Sequence, residues 1–207
     1  LLDEGKVPLG LDLETVEPVT WDLKKGNLLY LTDKEEQMAQ FVKQIARSKQ
    51  KVIVLAPSYN ELPEMEGVTI LSTKEDYVAG IKKMEENIQL RLEQQKSQHE
   101  AMIVLYNQLE LMNDLSMDLQ SSLNYVLEKG ARAGYATVAM SGSQLNRKID
   151  EVSKSIKLYK QAIVAMRITD QSVLNVINRP VREEPLDSQV NYYVEDGFVR
   201  KVKVLMK

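Results

Sequence analysis

The hydrophobic residues of this chain fall into two patterns that alternate along its length. Short, continuous apolar runs bounded by turn residues are typical of buried strands, whereas apolar residues three or four positions apart are typical of amphipathic helices. The runs predict strands at 28–31, 51–55, 68–71, 101–105, 135–140 and 162–166. Helical spacing predicts helices along 38–45, 73–92 and 112–126, the last ending near Gly130. We also expect Asp170 to cap a short helix through Leu174.

This alternation predicts an α/β fold with a mainly parallel sheet flanked by helices on both faces. The pair Asp196-Gly197 predicts a C-terminal hairpin of strands 192–194 and 198–204. Residues 1–26 are interpreted as an N-terminal segment of short strands anchored by Trp21, and 27–207 as the α/β core, within a single domain 1–207. Ligands of such folds bind at the carboxyl ends of the strands, here near Thr32, Tyr106 and Ser141.

The turn after the first core strand has the position of a phosphate-binding loop but not its residues. A P-loop, G-x-x-x-x-G-K-[ST], uses glycine amides to cradle phosphates, a lysine to reach the terminal ones and a hydroxyl to hold Mg²⁺. In this chain Thr32 and Gln37 replace the two glycines, Met38 replaces the lysine and Ala39 replaces the hydroxyl residue. We therefore expect weak phosphate binding or none.

The same turn carries acidic residues where a phosphate would need bare amides. Thr32 and Glu35 have the spacing of a capping box, and Asp33 and Glu36 add carboxylates at the positive end of the helix dipole. Lys34 is the one cation in this turn. An ordinary capped helix of an α/β protein without nucleotide ancestry would give the same pattern, so other segments must distinguish the two interpretations.

The residues after the strand 101–105 give a second test of whether the chain has the chemistry to bind a nucleotide. In a P-loop ATPase the corresponding strand ends in acidic residues that hold Mg²⁺ and polarise the attacking water. Here the strand is followed by Tyr106 and Asn107, which carry no negative charge, although Asn107 could offer a neutral oxygen. The sequence thus lacks two separate parts of the nucleotide chemistry, and we expect no nucleotide or metal cofactor.

Composition narrows the possible function classes. The chain has 207 residues, 43% hydrophobic content and a formal net charge of -3, which indicates a globular domain and argues against a nucleic-acid groove. It has no cysteine, and its single histidine, His99, lies in a polar stretch and is expected at the surface. No apolar run approaches the roughly 18 residues of a membrane span. The start at Leu1, without Met, is typical of a piece of a longer protein.

Several segments resemble one ATPase family. The run 102–112, which ends in Glu-Leu-Met, resembles the acidic-motif segment of FtsK/SpoIIIE-type ATPases, with Tyr106 and Asn107 at the acidic pair. The segment 130–135, followed by the strand 136–140, resembles the Arg-containing turn of that family. Residues 8–12, 16–19, 168–175 and 192–197 resemble the ATPase modules of EssC-type proteins, the membrane-anchored motors of type VII secretion.

This resemblance implies a RecA-like P-loop NTPase fold and, because both nucleotide motifs are lost, a degenerate C-terminal module of such a motor. It implies a location on the cytoplasmic side of the cell membrane, with no membrane insertion by this segment. The implied partners are secreted WXG-type helical-hairpin proteins or their partners, and neighbouring ATPase modules of the same chain. Arg132 matches a family position that could contact a neighbouring module.

Three hypotheses follow. The first is a non-catalytic module that recognises secretion substrates or regulates neighbouring ATPase modules, so that no residue is catalytic. The second is an active ATPase or DNA translocase that uses atypical residues, with Arg132 acting on a neighbour. The third is a structural cap of the motor.

Overall fold

The computed structural model describes residues 5–48 and 50–204. Within these ranges ten strands form one sheet in the order β2-β1-β10-β9-β8-β3-β7-β6-β4-β5. The strands are β1 (Lys6–Asp12), β2 (Pro18–Asp22), β3 (Leu28–Leu31), β4 (Val52–Leu55), β5 (Val68–Leu71), β6 (Ala101–Leu105), β7 (Tyr135–Ser141), β8 (Gln161–Val164), β9 (Val190–Glu195) and β10 (Phe198–Lys203).

Five α-helices of the described residues cover the two faces of this sheet. They are α1 (Glu35–Ala46), α2 (Lys74–Glu93), α3 (Gln108–Asp114), α4 (Met117–Lys129) and α5 (Glu151–Lys157). One buried layer lies under α1, and the other lies under α2, α3, α4 and α5. The α/β fold class with helices on both faces is therefore confirmed.

The central strands are parallel, and helices make the connections between them except at 56–67, where β4 and β5 are joined by a segment without a helix. Their continuous apolar runs fit a sheet that is buried on both faces. Strands β8, β3, β7, β6, β4 and β5 pair in parallel, whereas β9, β10, β1 and β2 extend the sheet by antiparallel pairing. All six predicted core strands are present, with ends that differ by at most two residues.

The terminal elements meet at one side of the sheet. The predicted hairpin is confirmed as β9 and β10, and both residues of its turn have positive φ, 49° at Asp196 and 84° at Gly197. At the other end of the chain, β1 pairs with β10, and the Trp21 side chain is fully buried. Trp21 Nε1 donates to Gly26 O over 3.0 Å, which confirms its role as an anchor of the N-terminal strands. The domain boundaries 1–26 and 27–207 stay a prediction.

The predicted helix along 112–126 is wrong as one element. The chain forms α3 and α4, separated by Leu115 in an extended conformation. Ser116 then caps α4, because its Oγ accepts a hydrogen bond from Leu119 N over 3.4 Å. The apolar spacing continues across this break, since α3 and α4 contribute Leu111 and Leu119 to the same buried layer.

The predicted short helix after Asp170 is also wrong. Asp170 ends a 3₁₀ turn, Ile168–Asp170, and its carboxylate accepts two hydrogen bonds from Arg167, of 2.8 and 2.9 Å. Residues 171–189 contain no helix or strand. Instead, the Glu183 carboxylate accepts from the backbone N–H groups of Ile168 and Thr169, over 2.6 and 2.7 Å, and holds this long segment against the turn.

Candidate functional site

The carboxyl ends of β3, β6 and β7 bring the predicted site residues to one edge of the sheet. Leu31 is paired with Ser141, and Leu105 is paired with Ala139. The next residue after β3, Thr32, donates its backbone N–H to Ser141 O over 3.0 Å. Thr32, Tyr106 and Ser141 therefore lie at the same edge, where an α/β sheet binds ligands.

The predicted capping box of Thr32 and Glu35 is wrong. Thr32 Oγ1 donates to Gln37 Oε1 and accepts from Lys34 N over 3.1 Å. Helix α1 begins at Glu35 after Lys34, and no side chain caps this end. The backbone N–H of Thr32 still pairs with β7. Thr32 therefore lies two residues before Lys34, which occupies the N-cap position of α1.

The remaining P-loop positions face the protein interior. Met38 is 4% exposed and belongs to the buried layer under α1, and Ala39 packs against the same layer. Gln37 is half-buried, and its side chain is engaged by Thr32. At the position that corresponds to the P-loop lysine there is thus a buried thioether and no cation.

The turn after β3 is closed against the turn after β7. The Asp33 carboxylate accepts from Ser143 N over 2.7 Å and from Ser143 Oγ over 2.9 Å. The approach is close because Gly142 has no side chain: a Cβ atom there would lie 2.7 Å from Asp33 Oδ1. An acidic side chain of the protein itself therefore occupies a position beside the N-terminal end of α1.

The two residues at the acidic-motif positions are a phenol and an amide, and each donates a hydrogen bond to another side chain. Tyr106 is 2% exposed, and its OH donates to Glu35 Oε1 over 3.2 Å. Burial, reinforced by the Glu35 charge, raises the pKa of Tyr106, so the phenol keeps its proton. Asn107, at a φ of 45°, donates from Nδ2 to the Tyr59 OH over 3.1 Å.

The surroundings of Tyr59 and Tyr106 are acidic. Burial and then the charges of Glu35, Glu110 and Asp114 raise the pKa of Tyr59. In the described residues 5–48 and 50–204 no group of three or more His, Cys, Asp and Glu side chains could hold a metal ion. Negative charge at this edge disfavours a triphosphate, since the anion would meet carboxylates instead of free amides.

The sequence did not reveal a buried polar chain under this edge. Ser141 Oγ donates to Gln108 Oε1 over 3.0 Å, and Gln108 Nε2 donates to Ser153 Oγ over 3.1 Å. All three side chains are fully buried, and they join β7, α3 and α5. The three residues lie in separate elements far apart in the chain, so their pairing depends on the tertiary fold and leaves no pattern in the sequence.

Arg132 lies away from this edge. It is exposed in the 3₁₀ turn Gly130–Ala133, which precedes β7 and so lies at the amino ends of the strands. Within the parts of the chain that the structure describes, it forms no hydrogen bond or ion pair. His99 is exposed, as predicted. No described helix is long and apolar enough to cross a membrane.

The order of the parallel strands and the position of the candidate site define the class of the fold. Strand β3, which leads into α1, lies between β8 and β7, and β6 and β4 follow on the far side of β7. Together with the alternating helices, this is the RecA-like arrangement of P-loop NTPases predicted for the chain.

Comparisons with known proteins agree with this class. No family model matches the chain. The type VII secretion system protein EssC of Staphylococcus aureus (strain MRSA252) is 24% identical over 98% of the chain, which spans only 14% of that relative. EssC (ATPases 2 and 3) from Geobacillus thermodenitrificans has a TM-score of 0.86 at 18% identity, covering 97% of this chain and 41% of that one.

Thermomonospora curvata EccC (ATPases 2 and 3), in complex with a signal sequence peptide, has a TM-score of 0.76 at 16% identity and covers 98% of this chain and 41% of that one. The predicted resemblance to the ATPase modules of EssC-type type VII secretion proteins is thus confirmed. At 18% and 16% identity, the likeness to these two solved structures is a likeness of fold.

Proposed function

We propose that this chain is a non-catalytic ATPase-like module of a type VII secretion motor, which recognises secreted proteins or regulates the ATPase modules beside it. The observation that carries the proposal is the turn after β3. In this turn the Thr32 hydroxyl is hydrogen-bonded to Gln37, and the Asp33 carboxylate is hydrogen-bonded to Ser143. Met38 is buried at the position where a P-loop has its lysine. A triphosphate would have to break these contacts and approach carboxylates.

The proposed recognition role is supported by a relative. The Thermomonospora curvata EccC structure holds a signal sequence peptide on a chain that contains two ATPase modules. We propose that secreted helical-hairpin proteins of the WXG type, or their partners, are the ligands of this module. By the same resemblance, we propose a place on the cytoplasmic side of the cell membrane, next to other ATPase modules of the parent protein.

The test compares two ligands on the same chain. A nucleotide at 100 times its Kd would stabilise the fold by about 2.7 kcal/mol, which for a chain of this size raises Tm by roughly 5–10 °C. We expect no rise in Tm with Mg-ATP, and saturable binding of a WXG-type protein that the parent system secretes, measured by calorimetry. A clear rise with Mg-ATP would contradict the non-catalytic role. Absence of binding by the secreted protein would remove the recognition role and leave the regulatory role and the structural cap.

The regulatory part of the proposal concerns Arg132. Its exposure at the amino ends of the strands leaves the guanidinium available to a neighbouring module. In the parent protein, Arg132→Ala is expected to change ATP turnover by the other modules, whereas Lys82→Ala, on the exposed face of α2, should not. Unchanged turnover in both variants would remove the regulatory role and leave recognition untouched.

A further inference from the structure

The surface around α5 has the opposite charge to the chain as a whole. Residues 147–160 carry five Lys and Arg and two Asp and Glu, a net charge of +3, whereas the whole chain has a net charge of -3. Both carboxylates are already engaged. Asp150 accepts from Ser153 N over 2.8 Å, and Glu151 pairs with Lys154 at 2.8 Å. Within the described parts of the chain, the other four cations of this segment form no ion pair: Arg147, Lys148, Lys157 and Lys160.

Large aliphatic side chains are exposed among these cations. Ile149 is 82% exposed just before α5, and Leu158 is 79% exposed directly after it. Lys157 Nζ donates to Lys148 O over 2.6 Å, and each aliphatic residue follows one partner of this contact. Leu158 also lies one helical turn after the exposed Lys154. The aliphatic and cationic side chains therefore belong to one region of the surface.

A third exposed aliphatic side chain extends this region. Ile177 is 66% exposed and lines a groove together with Lys157 and Lys160. Its backbone is fixed, because Ile177 N donates to Gly197 O over 2.8 Å. Among the described residues that line the groove, Asp196 carries the one acidic side chain. We call the following six residues the α5 face: Lys148, Ile149, Lys157, Leu158, Lys160 and Ile177.

The composition of the α5 face distinguishes two kinds of partner. Protein interfaces are enriched in aromatic residues, Met and Arg and are depleted of Lys. The α5 face has three lysines, three aliphatic side chains and no aromatic ring. Contacts with a membrane surface combine apolar side chains at the boundary between headgroups and acyl chains with cations that are attracted to anionic lipids. The α5 face therefore fits an anionic lipid surface better than it fits a protein.

We propose that the α5 face is a peripheral contact site for an anionic phospholipid surface. Its three aliphatic side chains enter the headgroup boundary, and its three lysines pair with lipid phosphates. The nearness of a membrane rests on the proposed function, which places this module on the cytoplasmic side of the cell membrane, whereas the chemistry of the face does not. Such a contact is superficial and leaves the module outside the hydrocarbon core.

The charge requirement is tested by sedimentation of the whole chain with two kinds of vesicle, phosphatidylcholine alone and phosphatidylcholine with an equal amount of phosphatidylglycerol. We expect binding to the mixed vesicles only, and weaker binding as the salt concentration rises. A Lys or Arg near an anionic leaflet raises affinity about fivefold, so Lys148→Glu with Lys160→Glu should weaken binding by about 25-fold or more. Lys82→Glu with Lys83→Glu on α2, the same charge change, should not. Absence of binding to the mixed vesicles, or an equal loss in both double variants, would overturn the proposal.

The apolar requirement separates a lipid surface from an acidic protein. Ile149→Ser with Leu158→Ser keeps every charge and should leave Tm unchanged, because both side chains are exposed. We expect this variant to bind the mixed vesicles at least tenfold more weakly than the wild type, and to bind poly-glutamate, an anion without an apolar phase, equally well. The matched control is Val78→Ser with Leu90→Ser on α2, where the side chains are also exposed and vesicle binding should not change.

Equal vesicle affinity of the wild type and the Ile149→Ser, Leu158→Ser variant would overturn the proposal and indicate a surface for acidic proteins. Failure of the proposed function looks different, because Mg-ATP would then stabilise the chain. The vesicle experiments contain neither a nucleotide nor a secreted protein, so their outcome does not depend on that result.

Discussion

Helices α1 and α2 begin after the same short sequence pattern, a threonine followed three residues later by an acidic residue, yet they begin differently. At α2, Thr73 and Asp76 form a complete capping box, with Asp76 N donating to Thr73 Oγ1 over 3.2 Å. At α1 the side chain of Thr32 bonds to Gln37, and no side chain caps the helix.

The difference comes from the strand that precedes each helix. Strand β3 is central and fully buried, and its hydrogen bonding continues through Thr32 to Ser141. Strand β5 is an edge strand of intermediate burial, which leaves Thr73 free to take the extended conformation of an N-cap. Tertiary pairing therefore overrides the local motif at the position where a nucleotide-binding relative would hold phosphate.

The largest effect is expected from restoring the lysine of a P-loop in α1. Met38→Lys would place a charge in a side-chain position that is 4% exposed, at a cost of about 3 kcal/mol or more in the free energy of unfolding. Urea denaturation measures it. The control is Gln40→Lys, at an exposed position of the same helix, with a change within about 0.5 kcal/mol. A stable Met38→Lys protein that gains stabilisation by Mg-ATP would contradict the closed site.

The next effect tests the contact that replaces the cap. Gln37→Leu removes the acceptor of the buried Thr32 hydroxyl, and we expect a loss of about 1–3 kcal/mol in the free energy of unfolding. Adding Thr32→Val removes the unsatisfied hydroxyl donor as well, although it also removes the acceptor of Lys34 N, so the double variant should recover part of that loss in the same urea titration. Additive losses would mean that the two side chains are not coupled.

At α2 the effect is smaller because the cap is exposed. Thr73→Ala removes the acceptor for Asp76 N and should lower the free energy of unfolding by about 1 kcal/mol. Thr32→Ala makes the same chemical change before α1, where there is no cap to lose. Thermal unfolding measures the loss of stability in each variant. Lower helicity of α1 in Thr32→Ala, seen as faster amide exchange, would mean that Thr32 supports that helix after all.

The smallest effect is a dependence on pH. The hydrogen bond from Thr73 holds the pKa of Asp76 below its ordinary value of 3.8. A depressed pKa in the folded state stabilises the fold above the unfolded-state pKa, and this contribution is lost as the pH falls through the folded-state pKa. Wild type should therefore exceed Asp76→Asn in Tm at pH 6, and the difference should shrink below pH 4. A difference that grows on acidification would contradict this account.

The sequence predicts most of the fold because its strong signals are local. Continuous apolar runs identified the six core strands, and Asp196-Gly197 identified the final hairpin, since few residue pairs adopt two positive φ angles. The break between α3 and α4 was missed because apolar residues kept their helical spacing across it, although Ser116 before Met117 is a cap signal that could have located it.

The candidate site was only partly predictable. The sequence alone shows that the P-loop lysine and the acidic pair are absent, because Met38, Tyr106 and Asn107 stand at those positions. What fills the vacant positions depends on contacts between distant segments, such as Tyr106 with Glu35 and Asp33 with Ser143. The chain from Ser141 through Gln108 to Ser153 was invisible for the same reason.

The pairing of β1 with β10 has a consequence for biosynthesis. Leu11 lies beside Lys203, so β1 finds its second neighbour, β10, only when almost all of the described residues have left the ribosome. Until then the β1–β2 hairpin lacks its partner on the β1 side, and contacts between residues so far apart in the chain form slowly. Completion of this side of the sheet thus waits for β10, and until then the unpaired edge of β1 is exposed to non-native strand pairing.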